Sequence, residues 1–457
     1  MVKDKCFIIN KKMLSLQKSK KLDSMNIRKS LIIVLVTLTI PVLHAQSTDV
    51  QLNALLGSGN FFKLKEEYPK LKEKSSEAIQ LFVEAYLGSY FNQPEQANEN
   101  IRLIFQFYSE YPDIFTPELQ LSLYYFMAEN EARIQNYKNA ASIYAQLIEQ
   151  LADFLDINAL NAYKEMYRFY NSLQNVSQME ISYTGTNKTI PLKRDTVGLL
   201  TLSVNSNNLN ENFDFVLDFG AGFCMVEEKY ANSLGIKVLA DSVFVRTGIG
   251  TVEYSKMGIA DEITIGDVKV KNVIFNLSPD KIVDKLPDSI SNYKITGIIG
   301  FPVLRAFGHL IITDSQLVIS KSPVSLIHSS NMMMCGNELY VQTVSAEDTL
   351  LMLFDSGSGD SYLTSYYLSN RDINKENLEK STRGRISYGG MREFEIYKKA
   401  DFSCQIGVKE FVFPSIDIHI ENFQVSTLLI DGVIGQDVIK QSSATIIDFK
   451  NMYFQIK

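Results

Sequence analysis

Two aspartates of this chain stand in the same local context, and both could take part in acid–base chemistry. Asp218 ends the run Phe-Val-Leu-Asp and begins Asp-Phe-Gly-Ala-Gly, and Asp355 ends Met-Leu-Phe-Asp and begins Asp-Ser-Gly-Ser-Gly. A carboxyl group exposed at a turn can accept or donate a proton during a reaction. If the fold brings two such groups together, they cannot both ionise, so they would share one proton and act as an acid and a base.

The aspartates are the first of three landmarks that recur in the same order. The second is a glycine-bearing hairpin, at residues 248–250 and again at 388–390, and the third is an apolar-apolar-Gly segment, at residues 298–300 and 433–435. The glycines of the third landmark lie 82 and 80 residues beyond their aspartates. Asp-x-Gly alone is an ordinary turn signal. Three landmarks in matched order instead predict a duplicated lobe of about 130 residues, arranged as a pseudo-twofold pair.

At these positions the chain resembles the retropepsin-like aspartic peptidases, in particular the bacterial single-chain form with two tandem lobes. The resemblance covers about residues 185–457. It implies a two-lobed acid-protease β-barrel fold in which Asp218 and Asp355 are the catalytic pair. One carboxyl would take a proton from the attacking water while the other hydrogen-bonds the peptide carbonyl oxygen and then helps to protonate the leaving amine. The substrate would be a peptide or a protein, and no metal or cofactor is expected.

The resemblance also implies roles for the residues around each aspartate. The flaps that cover an extended peptide would exclude water from the reaction. The residues concerned are Gly220, Ala221, Ser356, Gly357 and Ser358 in the active-site turns, Gly248, Ile249, Gly250, Gly389 and Gly390 in the flaps, and Ile299, Gly300, Ile434 and Gly435 in the strands that support the turns.

One residue departs from the pattern of the family. The residue after the catalytic aspartate is usually Thr or Ser, whose hydroxyl helps to tie the two active-site turns together; Ser356 follows this rule and Phe219 does not. Because a Phe side chain cannot make that hydrogen bond, either the first turn is braced by packing or the lobe has lost catalytic competence. The second possibility makes a non-catalytic, peptide-binding descendant of the fold the main alternative.

The elements that must position these residues fall into two classes. From Val50 to about Asn175 apolar residues recur at intervals of three and four, which predicts an all-helical segment. After Val176 short β-branched and aromatic runs alternate with Gly, Asn and Asp, which predicts strands and hairpins. We therefore predict a multidomain protein, with a helical domain at 47–178, a first lobe at 179–325 and a second lobe at 326–457.

The helical segment contains spacings that resemble a tetratricopeptide repeat. Tyr124, Met127 and Ala128 are followed by Tyr137, Ala140 and Tyr144, and Leu81, Ala85, Ala97 and Ile101 echo this large–small pattern. The two copies are offset by 43 residues, measured from Ala97 to Ala140, whereas the repeat usually spans about 34. An irregular helical bundle is the alternative. Such a domain could bind a protein partner or restrain access to the cleft.

The first residues are typical of a secretory signal. An apolar or hydroxyl run from Ile32 to Leu43 follows Arg28-Lys29 and ends near Ala45, and it is too short to span a bilayer comfortably. We expect residues 1–46 to be a signal and an upstream extension, with translation starting at Met1 or Met25. The predicted location is the bacterial periplasm or the exterior, without a stable membrane span after signal cleavage.

Charge and cysteine content narrow the functional class further. Residues 1–45 contain nine of the 45 Lys and Arg and two of the 52 Asp and Glu, so the remaining chain has 36 basic and 50 acidic residues and a formal charge of −14. Such a charge argues against nucleic-acid partners. Only Cys224, Cys335 and Cys404 remain after position 45, too few for a disulfide framework.

Other motifs have weaker interpretations. Asp218-Phe219-Gly220 matches a kinase magnesium motif without the rest of the kinase pattern, and Gly359-Asp360-Ser361 resembles a serine hydrolase motif without a paired histidine. We expect Cys224 to be buried and inert and His309 to be structural, and we see no role for His328 or His419.

A third hypothesis is a helical scaffold that the β region merely stabilises. A wide separation of Asp218 from Asp355 would favour it.

Overall fold

A computed structural model of the chain describes residues 47–108, 115–206, 211–279, 282–283, 286, 291–323, 329–346, 348–371, 373–423 and 425–457. The expected signal and upstream extension, residues 1–46, lie outside the described residues, and so does His328. The described chain is helical up to Ser172 and consists mainly of β-strands from Glu180 onward. The prediction of a helical region followed by a β-rich region is confirmed.

Several helices of the helical region begin with a polar capping residue. The Asn60 side chain accepts a hydrogen bond from the N–H of Lys63, and the Asp156 side chain accepts from Asn158 and Ala159, which satisfies N–H groups that have no partner within the helix. Among the described residues, no helix combines the length and the apolar character needed to cross a membrane. The helices are α1 (Ser47–Ser58), α2 (Phe61–Leu71), α3 (Glu77–Tyr90), α4 (Pro94–Tyr108), α5 (Pro117–Arg133), α6 (Tyr137–Leu151) and α7 (Ile157–Ser172).

Small and aromatic residues join neighbouring helices. A Cβ atom on Gly88 of α3 would lie only 2.9 Å from the Cβ of Ala97 in α4, so glycine permits the close contact. The rings of Tyr144 in α6 and Tyr170 in α7 stack at 5.8 Å, and their hydroxyls donate to Glu129 of α5 at 2.6 and 3.1 Å. These contacts link α5, α6 and α7 into one packed unit. The tetratricopeptide interpretation of this unit stays a prediction.

The β region contains two series of strands, each of which surrounds one of the aspartates. The first series comprises β1 (Glu180–Ser182), β2 (Asn187–Arg194), β3 (Leu200–Ser206), β4 (Phe213–Leu217), β5 (Cys224–Glu227), β6 (Ile236–Arg246), β7 (Val252–Ile265), β8 (Val268–Ser278), β9 (Gly297–Ile299), β10 (His309–Ile312) and β11 (Gln316–Ser320), with a short helix α8 (Phe301–Ala306) after β9.

The second series begins after residue 329. It comprises β12 (Met332–Cys335), β13 (Glu338–Ser345), β14 (Asp348–Phe354), β15 (Tyr362–Leu363), β16 (Glu379–Ser387), β17 (Gly390–Ile406), β18 (Lys409–His419), β19 (Gly432–Ile434), β20 (Thr445–Asp448) and β21 (Tyr453–Ile456), with short helices α9 (Ser365–Asn370) after β15 and α10 (Gln436–Lys440) after β19.

The two series pair their strands in the same way. β4 lies parallel to β9, and β14 lies parallel to β19. β5 pairs antiparallel with β9 and parallel with β8, and β15 pairs in the same manner with β19 and β18. The predicted flap hairpins are β6–β7 and β16–β17. β4 also pairs antiparallel with β3, and β14 pairs antiparallel with β13. Each aspartate therefore follows a strand that lies between an antiparallel neighbour and a parallel one.

The ends of the two series meet in a common sheet. β10 pairs antiparallel with β11 and also with β20, which in turn pairs with β21. His309 and Asp448 stand opposite each other at this junction. Strands from the two halves thus share backbone hydrogen bonds, so the halves are joined on the side where their terminal hairpins lie.

The helical region contacts the β region through specific polar and aromatic groups. Arg305 of α8 donates to the carbonyl of Arg133 at the end of α5 at 2.7 Å. Asn92, after α3, donates to the carbonyl of Phe449 at 2.9 Å. Phe169 of α7 packs against Phe223, with the ring centres 4.9 Å apart. Because Phe223 lies five residues after Asp218, the helices support the segment next to the first predicted active-site turn.

Candidate active site

Both predicted catalytic aspartates follow the C-terminal end of a buried strand. Asp218 follows β4, and Asp355 follows β14. The backbone N–H of Asp218 donates to the carbonyl of Ile299 at 3.1 Å, and that of Asp355 donates to the carbonyl of Ile434 at 3.0 Å. Each aspartate is therefore anchored to the strand that carries the predicted apolar-apolar-Gly segment.

The glycines two residues after the aspartates allow the turns to face each other at close range. A Cβ atom on Gly220 would overlap the carboxylate of Asp355, and a Cβ atom on Gly357 would overlap that of Asp218. Any larger residue at either position would push the two carboxylates apart. The close approach of the two turns therefore requires glycine in both of them.

A single backbone N–H binds both carboxylates. The N–H of Gly357 lies 3.1 Å from Oδ1 of Asp218 and 2.9 Å from Oδ1 of Asp355. Each carboxyl also shifts the pKa of the other, so the two groups do not ionise independently. Gly220 donates to Asp218 at 2.8 Å, and Ser358 donates to Asp355 at 3.1 Å. The two aspartates are therefore close together. The wide separation that would have favoured the helical-scaffold hypothesis is not found.

The surroundings of the pair favour a proton on one partner. Burial raises the pKa of both carboxyls above the ordinary value for aspartate. The negative charge of Asp355 raises the pKa of Asp218 further, to well above that value. At Asp355, the hydrogen bond from Asp218, backbone N–H donors and the positive charge of Arg385 all act to lower the pKa. The donors around Asp355 therefore favour its ionised form relative to that of Asp218, although the pair titrates as a unit.

Ser356 ties the two active-site turns together. Its hydroxyl donates to the carbonyl of Leu217 at 2.8 Å and accepts from the N–H of Phe219 at 3.0 Å. The side chain is fully buried, so no water competes for these bonds. One serine thus makes two hydrogen bonds from the second turn to the first.

Phe219 cannot make the reciprocal bonds and instead packs into the core. Its fully buried ring lies 5.1 Å from the ring of Phe354, at an angle of 49°. Phe354 in turn contacts Phe454 at 4.9 Å. The first turn is therefore braced by packing at this position.

The supporting strands pass close behind the turns. A Cβ atom on Gly300 would overlap the backbone of Phe223, and one on Gly435 would lie 2.6 Å from the carbonyl carbon of Asp360. The N–H of Gly300 donates to the sulfur of Cys224 at 3.3 Å, and the N–H of Gly435 donates to the hydroxyl of Ser361 at 2.9 Å. Cys224 and Ser361, each six residues after an aspartate, therefore occupy equivalent places.

Gln436 is a supporting residue that the sequence analysis did not identify. Its buried side chain donates to the carbonyl of Ser356 at 2.8 Å, and it accepts from Arg194 at 3.0 Å. Its backbone N–H donates to the carbonyl of Ser358 at 2.8 Å, just as the N–H of Phe301 donates to the carbonyl of Ala221. In the sequence, this role is indicated only by the amide residue that directly follows Gly435. The corresponding residue after Gly300 is Phe301.

The two predicted flap hairpins meet at their tips. The N–H of Gly248 donates to the hydroxyl of Ser387 at 3.0 Å, and Arg392 donates to the carbonyl of Ile249 at 3.3 Å. Positive φ angles at Gly250 (79°), Gly389 (87°) and Gly390 (119°) form the tight turns. Tyr388, at the tip of β16–β17, packs near a cluster formed by Met225, Ile282 and Val283. Each hairpin therefore reaches across to the other half of the β region.

Among the described residues, the histidines and Cys224 show no arrangement for nucleophilic catalysis. Cys224 is buried, and burial raises the pKa of its thiol to about 12, so a thiolate is disfavoured there. Nδ1 of His309 lies 3.0 Å from Oδ1 of Asp448, at the strand junction described above. Burial, together with the charge of Arg385, lowers the pKa of His419 to about 3. His419 is therefore neutral and accepts a hydrogen bond from Arg385, a contact that the sequence analysis did not foresee.

Comparison with known proteins agrees with this geometry in one part of the chain. Residues 200–303 match the family model described as aspartyl protease. The matched segment extends from β3 into α8 and contains Asp218, the first hairpin and Gly300. A search of curated proteins found no match. The similarity supports an aspartic peptidase function in general terms and does not extend to Asp355.

Proposed function

We propose that the protein is an aspartic endopeptidase that hydrolyses peptide bonds with a water activated by Asp218 and Asp355. The observation that carries this proposal is the close approach of the two carboxylates, which accept hydrogen bonds from the same N–H of Gly357. Two aspartates from distant parts of a chain do not come into such contact without close packing of both turns. The match of residues 200–303 to aspartyl proteases supports the same conclusion.

The proposed mechanism follows from the distribution of the proton. Asp355, whose donors favour the ionised form, accepts a proton from the attacking water, and Asp218 donates a hydrogen bond to the carbonyl oxygen of the scissile bond. The C–N bond of the tetrahedral intermediate then breaks as the pair, which now holds two protons, gives one of them to the leaving amine nitrogen and returns to its starting state. The hairpins around Gly248 and Gly389 act as flaps, which hold an extended peptide over the pair and exclude bulk water.

We further propose that the two series of strands are tandem lobes related by a pseudo-twofold axis. Their equivalent pairings, β4 with β9 and β14 with β19, support this arrangement. The axis would pass between the two aspartates. The symmetry is broken at the residue after each aspartate, where Ser356 forms hydrogen bonds and Phe219 packs.

A non-catalytic peptide-binding protein is the alternative, and Phe219 is the observation that favours it. Incubation of the protein with a peptide library at roughly pH 3 to 8, the range in which such a pair can work, separates the two functions. New peptide termini, detected by mass spectrometry, would support the peptidase. Retention of intact peptides without any cleavage would support the binding protein. Failure both to cleave and to bind would refute both.

We also propose that the protein is exported, to the periplasm or the exterior, with residues 1–46 as the signal and its extension. This proposal rests on the basic residues of this segment and the apolar run that follows them, which are typical of a secretory signal. Sequencing the N-terminus of the protein recovered from the periplasm and the medium tests it, and an unprocessed protein confined to the cytoplasm would contradict it. The helical region would then recruit a protein partner or restrain the cleft, and its contact with Phe223 supports the second role.

A further inference from the structure

Arg385 lies on β16, two residues before the flap serine Ser387, and its charge reaches the catalytic pair. Its guanidinium group contributes to lowering the pKa of Asp355. It lies over the ring of Tyr362, with 3.8 Å between the guanidinium carbon and the ring centre. Tyr362 follows Asp355 by seven residues and is buried. Arg385 therefore projects from the second flap strand onto Tyr362, and its charge acts on Asp355.

Two contacts hold the guanidinium group in a fixed position. The first is the stacking on Tyr362. The second is the hydrogen bond from its Nε to Nε2 of His419, at 2.7 Å. His419 can accept this bond because it is fully buried and neutral, as its pKa of about 3 indicates. The stacking and the hydrogen bond together restrict the orientation of the planar guanidinium group.

The charge of Arg385 has no matching carboxylate among the described residues. Its Nη2 atom is buried without a hydrogen-bond partner there, and so is Nδ1 of His419. Arg383, on the same face of β16, differs in this respect, because it forms an ion pair with Asp360 and lies 3.7 Å from Asp417. Asp360 and Asp417 attract Arg385 only at longer range.

We propose that Arg385 is a specificity-determining residue that binds a carboxylate of the substrate, the side chain of an acidic residue next to the scissile bond. This inference rests on the proposed function. The planar fork of arginine matches a carboxylate with two parallel hydrogen bonds. A neutral amide of the same shape would leave the buried donors and their charge poorly matched, so the cleft discriminates Glu from Gln at one substrate position.

The test measures peptide binding rather than cleavage, so that it does not depend on turnover. The full-length Asp218→Asn protein is titrated with acetylated and amidated peptides that differ only by Glu or Gln at a single position, which is moved along an otherwise apolar sequence. Fluorescence anisotropy gives the dissociation constants. A charged hydrogen-bonding pair predicts that the Glu peptide binds about 10- to 100-fold more tightly at one position.

Variants of two basic residues on the same strand assign the preference. Adding Arg385→Gln should abolish the Glu preference. Adding Lys380→Gln, which removes an equal charge from an exposed residue paired with Glu395, should retain it. A Gln peptide with a free C-terminus serves as a further control. If it binds as tightly as the amidated Glu peptide, the carboxylate that is bound is the C-terminal one and the side-chain assignment is wrong.

Equal binding of Glu and Gln peptides at every position would overturn the inference, as would an absence of binding by all peptides. This comparison needs no change at Arg385 and stays decisive if the Arg385 variant fails to fold. A Glu preference that survives Arg385→Gln would also refute the assignment. By contrast, a Glu preference in a protein that never cleaves would refute only the proposed peptidase function.

Discussion

The hydroxyl of Ser356 provides the sharpest test of how the two halves of the site are joined. The change Ser356→Ala removes one hydrogen bond to Leu217 and one from Phe219, both made by a fully buried side chain. It also leaves the N–H of Phe219 without this partner. Loss of buried hydrogen bonds with an orphaned donor costs about 2–4 kcal/mol in total. For a β region of this size that corresponds to a fall in melting temperature of about 5–10 °C.

The assay is thermal unfolding followed by far-ultraviolet circular dichroism, since the chain contains no Trp. Ser356→Thr retains the hydroxyl and should recover most of the lost stability. Ser369→Ala is the matched control, because that hydroxyl is exposed and bonds only within α9, to the carbonyl of Ser365 at 2.8 Å. We expect the control to melt within about 1 °C of the native protein.

Activity should fall more than stability alone explains. At a temperature where Ser356→Ala is still folded, looser coupling of the turns should lower kcat/KM by at least about tenfold, because small displacements of catalytic groups are costly. The reasoning would be refuted if Ser356→Ala melted like the Ser369→Ala control. It would also be refuted if Ser356→Thr were no better than Ser356→Ala in both assays.

Other predictions concern packing, ionisation and the flaps. Phe219→Ala should destabilise the protein by about 3–5 kcal/mol in chemical unfolding, since the ring is fully buried; a loss below about 1 kcal/mol would show that packing does not brace the first turn. Because folding raises the pKa of Asp218, its carboxyl stabilises the fold fully only below its unfolded pKa of about 3.9, and this contribution is lost as pH rises through the folded pKa. Asp218→Asn should therefore gain stability relative to the native protein as pH rises above about 4, and a pH-independent difference would contradict the shift. The thiols of Cys224 and Cys404 are buried with pKa values of about 12, so alkylation at neutral pH should require unfolding, and rapid labelling of the native protein would show otherwise. Ser387→Ala should raise KM more than it lowers kcat, since it removes the 3.0 Å bond between the flap tips, and an unchanged KM would refute a role in holding substrate.

The sequence pattern predicted the parts of the fold that repeat. The glycine-bearing hairpins expected at residues 248–250 and 388–390 are found at the turns between β6 and β7 and between β16 and β17. The change from helices to strands near residue 176 also agrees with the structure. These features were predictable because alternation, apolar runs and glycine are local signals.

Contacts between distant segments could not be predicted in the same way. The buried amide of Gln436 supports a turn 80 residues earlier, and Arg385 stacks on Tyr362 and bonds to His419 across three strands. No local periodicity marks such residues, because their roles depend on which strands become neighbours. The packing role of Phe219 could not be predicted for the same reason, because the residue that it contacts, Phe354, belongs to the second series of strands.

The most direct test of the central claim is peptide cleavage by the native protein and by the variants Asp218→Asn and Asp355→Asn. Asp348→Asn is the control, an exposed carboxylate at the other end of β14. A peptide that the native protein cleaves, identified from the library, is used at the pH of highest activity. We predict that each of the first two changes lowers kcat by at least about a thousandfold, while the control stays within about twofold. Undiminished cleavage by both Asp218→Asn and Asp355→Asn would contradict the claim that these aspartates form the catalytic pair.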